Sequence, residues 1–341
     1  MPIFMIGTQR SGSNLLRLML QQLPQIAAPH PPHILHRFMP LMPTYGDLND
    51  DRNFAALVED VCRLVELNPV PWEGVVLDRN KVAAYCRERS LVAVFGAVYQ
   101  VYADARGAKT WLCKSMQNTL FLPQIEAYFP DAKYIYLYRD GRDVAVSFRK
   151  AVVGEKHFYH IAKEWAETQR LALRHREIVP PERFVSVSYE DLTARPEETL
   201  KRLCAFLDAE YHPSMLEFYT SDEAKRAAES SALWGNVVKP VMTNNTRKFV
   251  REASVEDIII FESVAGDVLD ALGYDRVHVR RGEERRFTER DIRIFDVENK
   301  RLKEQVLAGV DQEDLKRRDR QALLLAEIRG RAATGPAMHA H

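Results

Sequence analysis

The amino-terminal stretch from Pro2 to Leu20 constrains the fold more than any other part of the chain. Residues 3–6 form an apolar run that is too short for a helix and typical of a buried strand. A small polar loop, residues 7–13, follows, and the leucine-rich run after it predicts a helix. A strand, a glycine-bracketed loop and a helix direct backbone N–H groups and the positive end of a helix dipole at one anion. The stretch therefore predicts a phosphate-binding loop.

The loop departs from the nucleotide triphosphatase pattern, in which a lysine follows the second glycine and reaches the β- and γ-phosphates. Gly7 and Gly12 have the required spacing, but Ser13 stands at the lysine position and the cation lies inside the loop, at Arg10. This difference disfavours a P-loop kinase or NTPase, which stays open as an alternative, as does an ordinary strand–turn–helix start. We expect a phosphate to be lined by five residues of the loop: Arg10, Ser11, Gly12, Ser13 and Asn14.

A second stretch, residues 128–150, predicts another phosphate site. Tyr134 to Tyr138 is an aromatic and β-branched run, which is typical of a buried strand. Arg139 and Arg142 flank an Asp-Gly turn after it, and Ser147 lies in the next predicted helix. Arginine suits a phosphate because its donors form a fixed fork. Two phosphate sites at two strand ends of one sheet indicate a ligand that carries phosphates at both ends.

The combination of Q-R-S-G-S-N at residues 9–14 with Y-R-D-G-R-D-V-A-V-S at residues 138–147 resembles the sulfotransferases that use 3′-phosphoadenosine 5′-phosphosulfate (PAPS). The pattern is most similar to bacterial and tyrosylprotein-type members, and the resemblance covers residues 2–275. It implies that the first motif is the 5′-phosphosulfate loop and that Arg139 and Ser147 hold the 3′-phosphate. It also implies in-line sulfuryl transfer to an acceptor hydroxyl or amine, which leaves 3′,5′-adenosine bisphosphate.

A general base is expected in the unusual segment Pro-His-Pro-Pro-His-Ile-Leu-His at residues 29–36. Its prolines predict an extended conformation rather than a helix. Tyrosylprotein-type members have a glutamate base at a comparable distance from the loop, and His30 falls nearest to that position, with His33 next. Neutral imidazole suits this role near pH 7. Because His30, His33 and His36 recur every third residue, metal binding and a solvated surface loop are the alternatives.

The resemblance implies further site residues. Lys114, at the end of a predicted strand over residues 111–113, resembles the K-[SD]-P element, although Met116 replaces the proline. It would stabilise charge on the leaving phosphate together with Arg10, and no metal is expected because side chains supply the positive charge. A surface lysine that ends a strand is the alternative for Lys114.

Two more nucleotide contacts follow from the same resemblance. Tyr189, in the element Tyr-Glu-Asp-Leu, would lie near the adenine, although a buried tyrosine at a strand end explains it equally well. Residues 230–240 resemble the loop that closes over the nucleotide in tyrosylprotein-type members. Ser230 or its neighbour and Lys239 would reach the nucleotide from this loop.

The amino-acid composition limits the classes of binding partner and the cellular compartment that we expect. A hydrophobic content of 46% over 341 residues is enough for a sizeable core. The 48 basic residues balance the 48 acidic ones, so we expect no bulk attraction to nucleic acid or to a membrane surface. Four cysteines without metal-ligand spacing predict reduced thiols and a cytoplasmic protein. We expect no signal peptide and no membrane span.

These observations predict an α/β fold, a P-loop-like three-layer sandwich with a central parallel sheet flanked by helices, plus a C-terminal helical tail. We assign residues 1–275 to a sulfotransferase domain, 276–330 to a charged helical extension and 331–341 to a disordered tail. Residues 292–306 show a short a/d pattern with an asparagine at one a position. This extension would form a homodimer or fold back on the domain, and we favour folding back.

The acceptor stays open, because a small molecule, a carbohydrate, a lipid and a peptide all fit the motifs equally well. A catalytically inactive nucleotide-binding scaffold is the second alternative function, since binding motifs persist when a base is lost.

Overall fold

Five strands form one parallel sheet in the part of the chain that the computed structural model describes, residues 1–230 and 232–334. The strands are β1 (Ile3–Gly7), β2 (Ile26–Ala27), β3 (Thr110–Cys113), β4 (Lys133–Tyr138) and β5 (Phe184–Ser188). Their order across the sheet is β2-β3-β1-β4-β5. β1 pairs with β4 along its whole length, from Ile3 opposite Lys133 to Gly7 opposite Leu137. The loops that follow β1 and β4 therefore leave the sheet side by side.

Helices cover both faces of the sheet. The helices of the described residues are α1 (Ser13–Gln21), α2 (Ile34–Phe38), α3 (Asp51–Glu66), α4 (Arg79–Tyr85), α5 (Leu91–Ala105), α6 (Leu122–Tyr128), α7 (Gly141–Arg149), α8 (Phe158–Ile178), α9 (Tyr189–Ala194), α10 (Pro196–Phe206), α11 (Asp222–Ser230), α12 (Phe249–Glu252), α13 (Val255–Ala271), α14 (Glu289–Ala308) and α15 (Gln312–Thr334). Short 3₁₀ helices lie at Met39–Tyr45, Met116–Phe121, Pro181–Arg183, Pro213–Thr220, Ala232–Val238 and Thr243–Asn245. In this part of the chain, every helix is too short or too polar to span a bilayer.

The central strand β1 is buried on both faces, because residues 3–6 are apolar at every position rather than at alternate ones. Phe4 and Ile6 of β1 pack into a core beneath α3 and α5. Ile3 and Met5 of the same strand pack into a second core with α1 and α10. This three-layer arrangement confirms the predicted fold class.

The strands predicted at residues 3–6, 111–113 and 134–138 agree with β1, β3 and β4 to within one residue at each end. The sequence missed β2, which has only two residues and pairs only with β3 among the described strands. One local expectation was wrong. The prolines of segment 29–36 keep the chain out of a helix only up to Pro32, and α2 begins at Ile34, because residues 33–38 contain no proline to block its hydrogen bonds.

The C-terminal extension folds back on the domain, as favoured above. Asn299 of α14 is buried against the segment before α8, and Leu324, Leu325 and Ile328 of α15 are buried in the core beside α3. The last helix continues to Thr334. The remainder of the predicted disordered tail, residues 335–341, lies outside the described residues.

Replacing Gly7 by alanine is expected to lower the free energy of unfolding by about 2–4 kcal/mol. Gly7 has a φ of +123°, and a Cβ there would lie 2.3 Å from the backbone oxygen of Leu137 on β4. Gly235→Ala is the control, because its φ is not positive and nothing lies within 4 Å of its Cβ position. Urea denaturation of both variants is the measurement. Equal stability of the two would contradict the steric argument.

Candidate active site

A cleft of about 1200 Å³ lies at the carboxyl ends of β1 and β4, where ligands of parallel α/β sheets bind. It is lined by eleven of the residues that the sequence assigned to the site, namely Arg10, Gly12, Ser13, Asn14, His30, His33, Lys114, Arg139, Ser147, Tyr189 and Lys239. Three residues expected at the site do not line it: Ser11, Ser230 and Arg142, the last of which is described below. The side chain of Ser11 is fully buried behind the loop, and the Ser230 hydroxyl donates to the carbonyl oxygen of Ala227 on its own helix.

The loop after β1 is shaped to present backbone donors. Arg10 and Gly12 both have left-handed backbones, with φ of 69° and 88°. Helix α1 then begins at Ser13 without a side-chain cap and without an acidic residue in its first turn. The first N–H groups of a helix have no partner within the helix, so an uncapped start that borders a cleft suits an anion.

The two motifs predicted to bind phosphate meet in one cleft. Arg10 Nε donates to Ser147 Oγ at 2.9 Å, and Arg139 Nη1 donates to the backbone oxygen of Arg10 at 3.1 Å. These contacts join residues that are 129 or more positions apart in the chain. Pairing of β1 with β4 makes this possible, because it sets the ends of the two strands next to each other.

The guanidinium of Arg139 is held in one orientation. It lies 4.3 Å from the centre of the Tyr189 ring, 3.6 Å from Asp143 Oδ2, and donates to the backbone oxygen of Asn245. Its buried Nε has no partner among the described residues. Tyr189 also packs against the loop, since a Cβ on Gly12 would lie 2.5 Å from its ring. The ring expected near the adenine therefore supports Arg139 in this structure.

Arg142, the other arginine of the second motif, does not line the cleft. It pairs with Asp140 at 2.8 Å and with the buried Glu262 at 2.6 Å, and it stacks on Phe249. The expectation that both arginines of this motif contribute to the phosphate site was therefore wrong. Arg142 instead fastens α7 to α13, because its buried charge needs buried carboxylates.

The histidines of segment 29–36 differ in their surroundings. His33 has a left-handed backbone (φ 59°), and its Nδ1 lies 2.8 Å from Ser115 Oγ, next to Lys114. His30 is buried, its ring packs edge-on against Trp234 at 4.6 Å, and its Nε2 has no hydrogen-bond partner among the described residues. Within those residues, no three His, Cys, Asp or Glu side chains converge to hold a metal ion.

Comparison with known proteins identifies the family. A sequence model described as "Sulfotransferase family" matches residues 2–213. The chain belongs to the sulfotransferase family. Protein-tyrosine sulfotransferase A of Caenorhabditis elegans is 23% identical over 285 residues, which cover 80% of this chain and 67% of that protein. The ω-hydroxy-β-dihydromenaquinone-9 sulfotransferase Stf3 of Mycobacterium tuberculosis is 27% identical over 227 residues, or 61% of this chain and 52% of that protein.

A solved structure supports the same assignment of fold. The sulfotransferase domain from the curacin biosynthetic pathway superposes with a TM-score of 0.56 at 21% identity, covering 81% of this chain and 99% of that one. The chain spans about half to two thirds of the length of the curated relatives named above. Family and fold together confirm the resemblance drawn from the two motifs, and they support sulfuryl transfer as the general activity.

Two cations of this sulfotransferase cleft, Lys114 and Arg10, have lowered pKa values. Burial, then the charges of Arg17 and Arg10, lowers the pKa of Lys114 to about 7. Burial and Arg139 lower the pKa of Arg10 to about 10. Each shift has the same cause, because cations that are withdrawn from water and close together disfavour one another. A bound anion would raise the pKa values of both Lys114 and Arg10.

Both candidate bases are neutral at pH 7. Burial lowers the pKa of His33 well below its usual value, and Lys114 is the next largest cause. The pKa of His30 is lowered in the same way by burial, Lys114 and Arg17. A buried neutral imidazole in a cleft is able to accept a proton from a hydroxyl.

Several partners of the sulfotransferase site could not be found from the sequence. Ser115 adjoins Lys114 in the quoted element, but its contact with His33 joins residues 82 positions apart. The Asn68 amide donates a hydrogen bond to the backbone oxygen of His30, and the backbone oxygen of Asn245 accepts one from Arg139. No local pattern marks either asparagine, because each contact depends on how distant segments pack.

Proposed function

We propose that the protein transfers a sulfuryl group from PAPS to an acceptor hydroxyl or amine. The main support is the joining of the two motifs into one cleft through Arg10, Ser147 and Arg139. A ligand with a phosphate at one end and a phosphosulfate at the other would engage both motifs at once. ATP has no 3′-phosphate, so Arg139 and Ser147 of the second motif would have no anion to bind.

The donor set fits such a ligand. Arg139 lines the cleft with a buried Nε that has no partner among the described residues, and the uncapped start of α1 offers backbone N–H groups. Arg139 and Ser147 would hold the 3′-phosphate, while the loop around Arg10 would hold the 5′-phosphosulfate. The lowered pKa values of Arg10 and Lys114 support binding of an anion, since negative charge would offset their mutual repulsion.

The residues around the reacting atoms have separable roles in this proposal. When bound, PAPS supplies the sulfuryl group, whose bond to the bridging phosphate oxygen is exchanged for a bond to the acceptor oxygen. Lys114 and Arg10 stabilise the negative charge that develops on that bridging oxygen. Tyr189 and Asp143 keep Arg139 oriented, which preserves its fork for the 3′-phosphate.

His33 is the base that we favour. With Nδ1–H donating to Ser115 Oγ, the lone pair of Nε2 is left to take the acceptor's proton. His30 is the second candidate, but its Nδ1 lies 3.4 Å from the Asn68 amide, which already donates to two backbone oxygens. The contact of His33 orients its ring more firmly, because 2.8 Å is a usual hydrogen-bond distance and 3.4 Å is longer than usual.

Binding of 3′,5′-adenosine bisphosphate is expected to take up a proton at about pH 8, because the anion raises the pKa of Lys114 from its free value near 7. At about pH 6 the lysine is already charged, so uptake by this group should vanish. Above pH 7 the affinity should therefore fall, by up to about tenfold per pH unit. Calorimetry in two buffers that differ in heat of ionisation measures the uptake.

Lys114→Met should abolish that uptake, and Lys109→Met, which removes an exposed lysine before the same strand, should leave it unchanged. Equal uptake by both variants would show that another group binds the proton.

Titration calorimetry with 3′,5′-adenosine bisphosphate and, separately, with ATP and Mg²⁺ tests the proposed donor. We expect tight binding of the bisphosphate and weak binding of ATP. The reverse preference would favour a kinase or NTPase and would overturn the assignment of the second motif. Tight bisphosphate binding without consumption of PAPS by any acceptor would favour an inactive scaffold.

A further inference from the structure

His30 is an imidazole of the cleft to which a mechanism with His33 as the base gives no role. It lines the cleft, yet only 5% of it is exposed. Its backbone oxygen accepts hydrogen bonds from the Asn68 amide at 3.0 Å and from Trp72 Nε1 at 2.8 Å. Its Nε2, however, has no hydrogen-bond partner among the described residues. Because buried polar atoms are normally paired, water would bind to this nitrogen wherever it could reach it.

The side chain that packs on the His30 ring is Trp234. The two ring centres are 4.6 Å apart in an edge-on arrangement, and Trp234 is half-buried and also lines the cleft. Since His30 borders the cleft and is nonetheless almost fully buried, the indole occupies space that water would otherwise fill. The face of an aromatic ring shields the imidazole without supplying a second base.

A buried ion pair fastens the segment that carries Trp234. Arg17 of α1 is fully buried, and its Nη1 donates to the backbone oxygen of Ala28 at 2.8 Å and to Glu223 Oε1 at 2.9 Å. Ala28 lies two residues before His30, and Glu223 lies on α11, which packs against the 3₁₀ helix that contains Trp234. Arg17 therefore links the segment of the imidazole to the helix that positions its indole neighbour.

An imidazole that water could reach at this position would act as a base. Burial lowers the pKa of His30 well below its usual value, and the charge of Lys114 lowers it further. The ring is therefore neutral at pH 7 and able to take a proton from water. Lys114 is the residue that the proposed function places beside the bridging oxygen, so such a water would lie near the sulfuryl group.

We propose that Trp234 excludes water from His30, and that the Arg17–Glu223 pair holds it there, so that PAPS is kept for the acceptor and is not hydrolysed. The inference rests on the proposed transfer from PAPS. Without the indole, a water oxygen would bond to the sulfur atom while the bond from sulfur to the bridging phosphate oxygen breaks. One proton of the water would pass to His30, and hydrogensulfate and 3′,5′-adenosine bisphosphate would be released.

Hydrolysis of PAPS without any acceptor tests this proposal. Release of labelled sulfate at saturating PAPS is measured for the unmodified protein and for Trp234→Ala, and calorimetry with 3′,5′-adenosine bisphosphate confirms that each protein binds the nucleotide. We expect Trp234→Ala to hydrolyse PAPS at least about tenfold faster, because a positioned base gains access to water. A general loss of structure would lower this rate and not raise it.

Three further variants assign the increase to His30. The double variant His30→Ala/Trp234→Ala should return to the rate of the unmodified protein, since the base is gone. Trp234→Phe keeps an aromatic ring and should stay close to that rate. Val238→Ala changes an exposed residue of the same 3₁₀ helix outside the lining of the cleft, and should have no effect.

The ion pair is tested separately. Glu223→Gln removes the charge that Arg17 pairs with and should also raise the hydrolysis rate, because α11 is held less firmly. Glu217→Gln, an exposed carboxylate shortly before the same helix, is the matched control and should leave the rate unchanged.

An unchanged hydrolysis rate in Trp234→Ala, or an increase that remains in the double variant, would overturn the proposal. If Trp234→Ala no longer binds the bisphosphate, Glu223→Gln decides in its place, and an unchanged rate there would overturn the proposal in the same way. Failure of the unmodified protein to bind the bisphosphate would instead overturn the proposed donor, and with it the inference built on it.

Discussion

Replacing His33 by alanine is expected to lower kcat by about 10²–10⁴-fold, the range that a positioned general base contributes. The affinity for 3′,5′-adenosine bisphosphate should change little, because the proposed role of His33 concerns the acceptor's proton and not the nucleotide. His33 is neutral, half-buried in the wall of the cleft and oriented by Ser115, and each property favours proton transfer. Single-turnover kinetics with PAPS and a phenol, alongside calorimetry, separates the two effects.

Two variants test whether a loss of activity is specific to the imidazole of His33. His36→Ala removes an exposed histidine one helical turn away, and it should keep most of the activity. Ser115→Ala should lower kcat less than His33→Ala does, since it removes only the orienting contact. If His30→Ala abolishes turnover while His33→Ala does not, the base is His30 and our preference between the two is wrong.

Replacing Arg139 by alanine is expected to weaken binding of 3′,5′-adenosine bisphosphate by about 1.5–3 kcal/mol, which is the usual contribution of a charge-assisted hydrogen bond. This corresponds to roughly ten- to a hundredfold in Kd. The guanidinium is already fixed between Tyr189, Asp143 and Asn245, so little side-chain entropy is lost when a phosphate binds. Titration calorimetry is the measurement.

The choice of ligand provides the sharpest control for Arg139. Adenosine 5′-monophosphate lacks the 3′-phosphate, so its affinity should be the same in Arg139→Ala and in the unmodified protein. Arg149→Ala removes one positive charge from the same helix, where Arg149 pairs with Asp257, and should leave bisphosphate binding intact. Equal losses for both ligands in Arg139→Ala would mean that Arg139 supports the cleft as a whole.

Local sequence was enough to predict the elements that build the site. The apolar run of β1, the glycine-bracketed loop and the leucine-rich start of α1 follow from propensity and periodicity, which act over a few residues. The capping box that Ser254 and Asp257 form at the start of α13 is likewise set by residues three positions apart. The family followed from two short motifs, because their residue types and order are specific.

The sequence could not separate residues of the same type. Arg139 and Arg142 are three positions apart and equally suited to a phosphate, yet one lines the cleft and the other forms buried ion pairs with Asp140 and Glu262. His30 and His33 differ by contacts with Asn68 and Ser115, which no spacing rule reveals. Side-chain direction depends on the partners that the fold supplies.

The sequence by itself therefore determined the α/β class, the two motifs and the family. Only the tertiary structure decided that the motifs share one cleft, which arginine faces it, and that the C-terminal extension borders it. The physical reason is the range of the interactions. Propensity, capping and glycine turns are set by neighbouring residues, whereas the pairing of β1 with β4 and the anchoring of α14 and α15 depend on packing between segments more than a hundred residues apart.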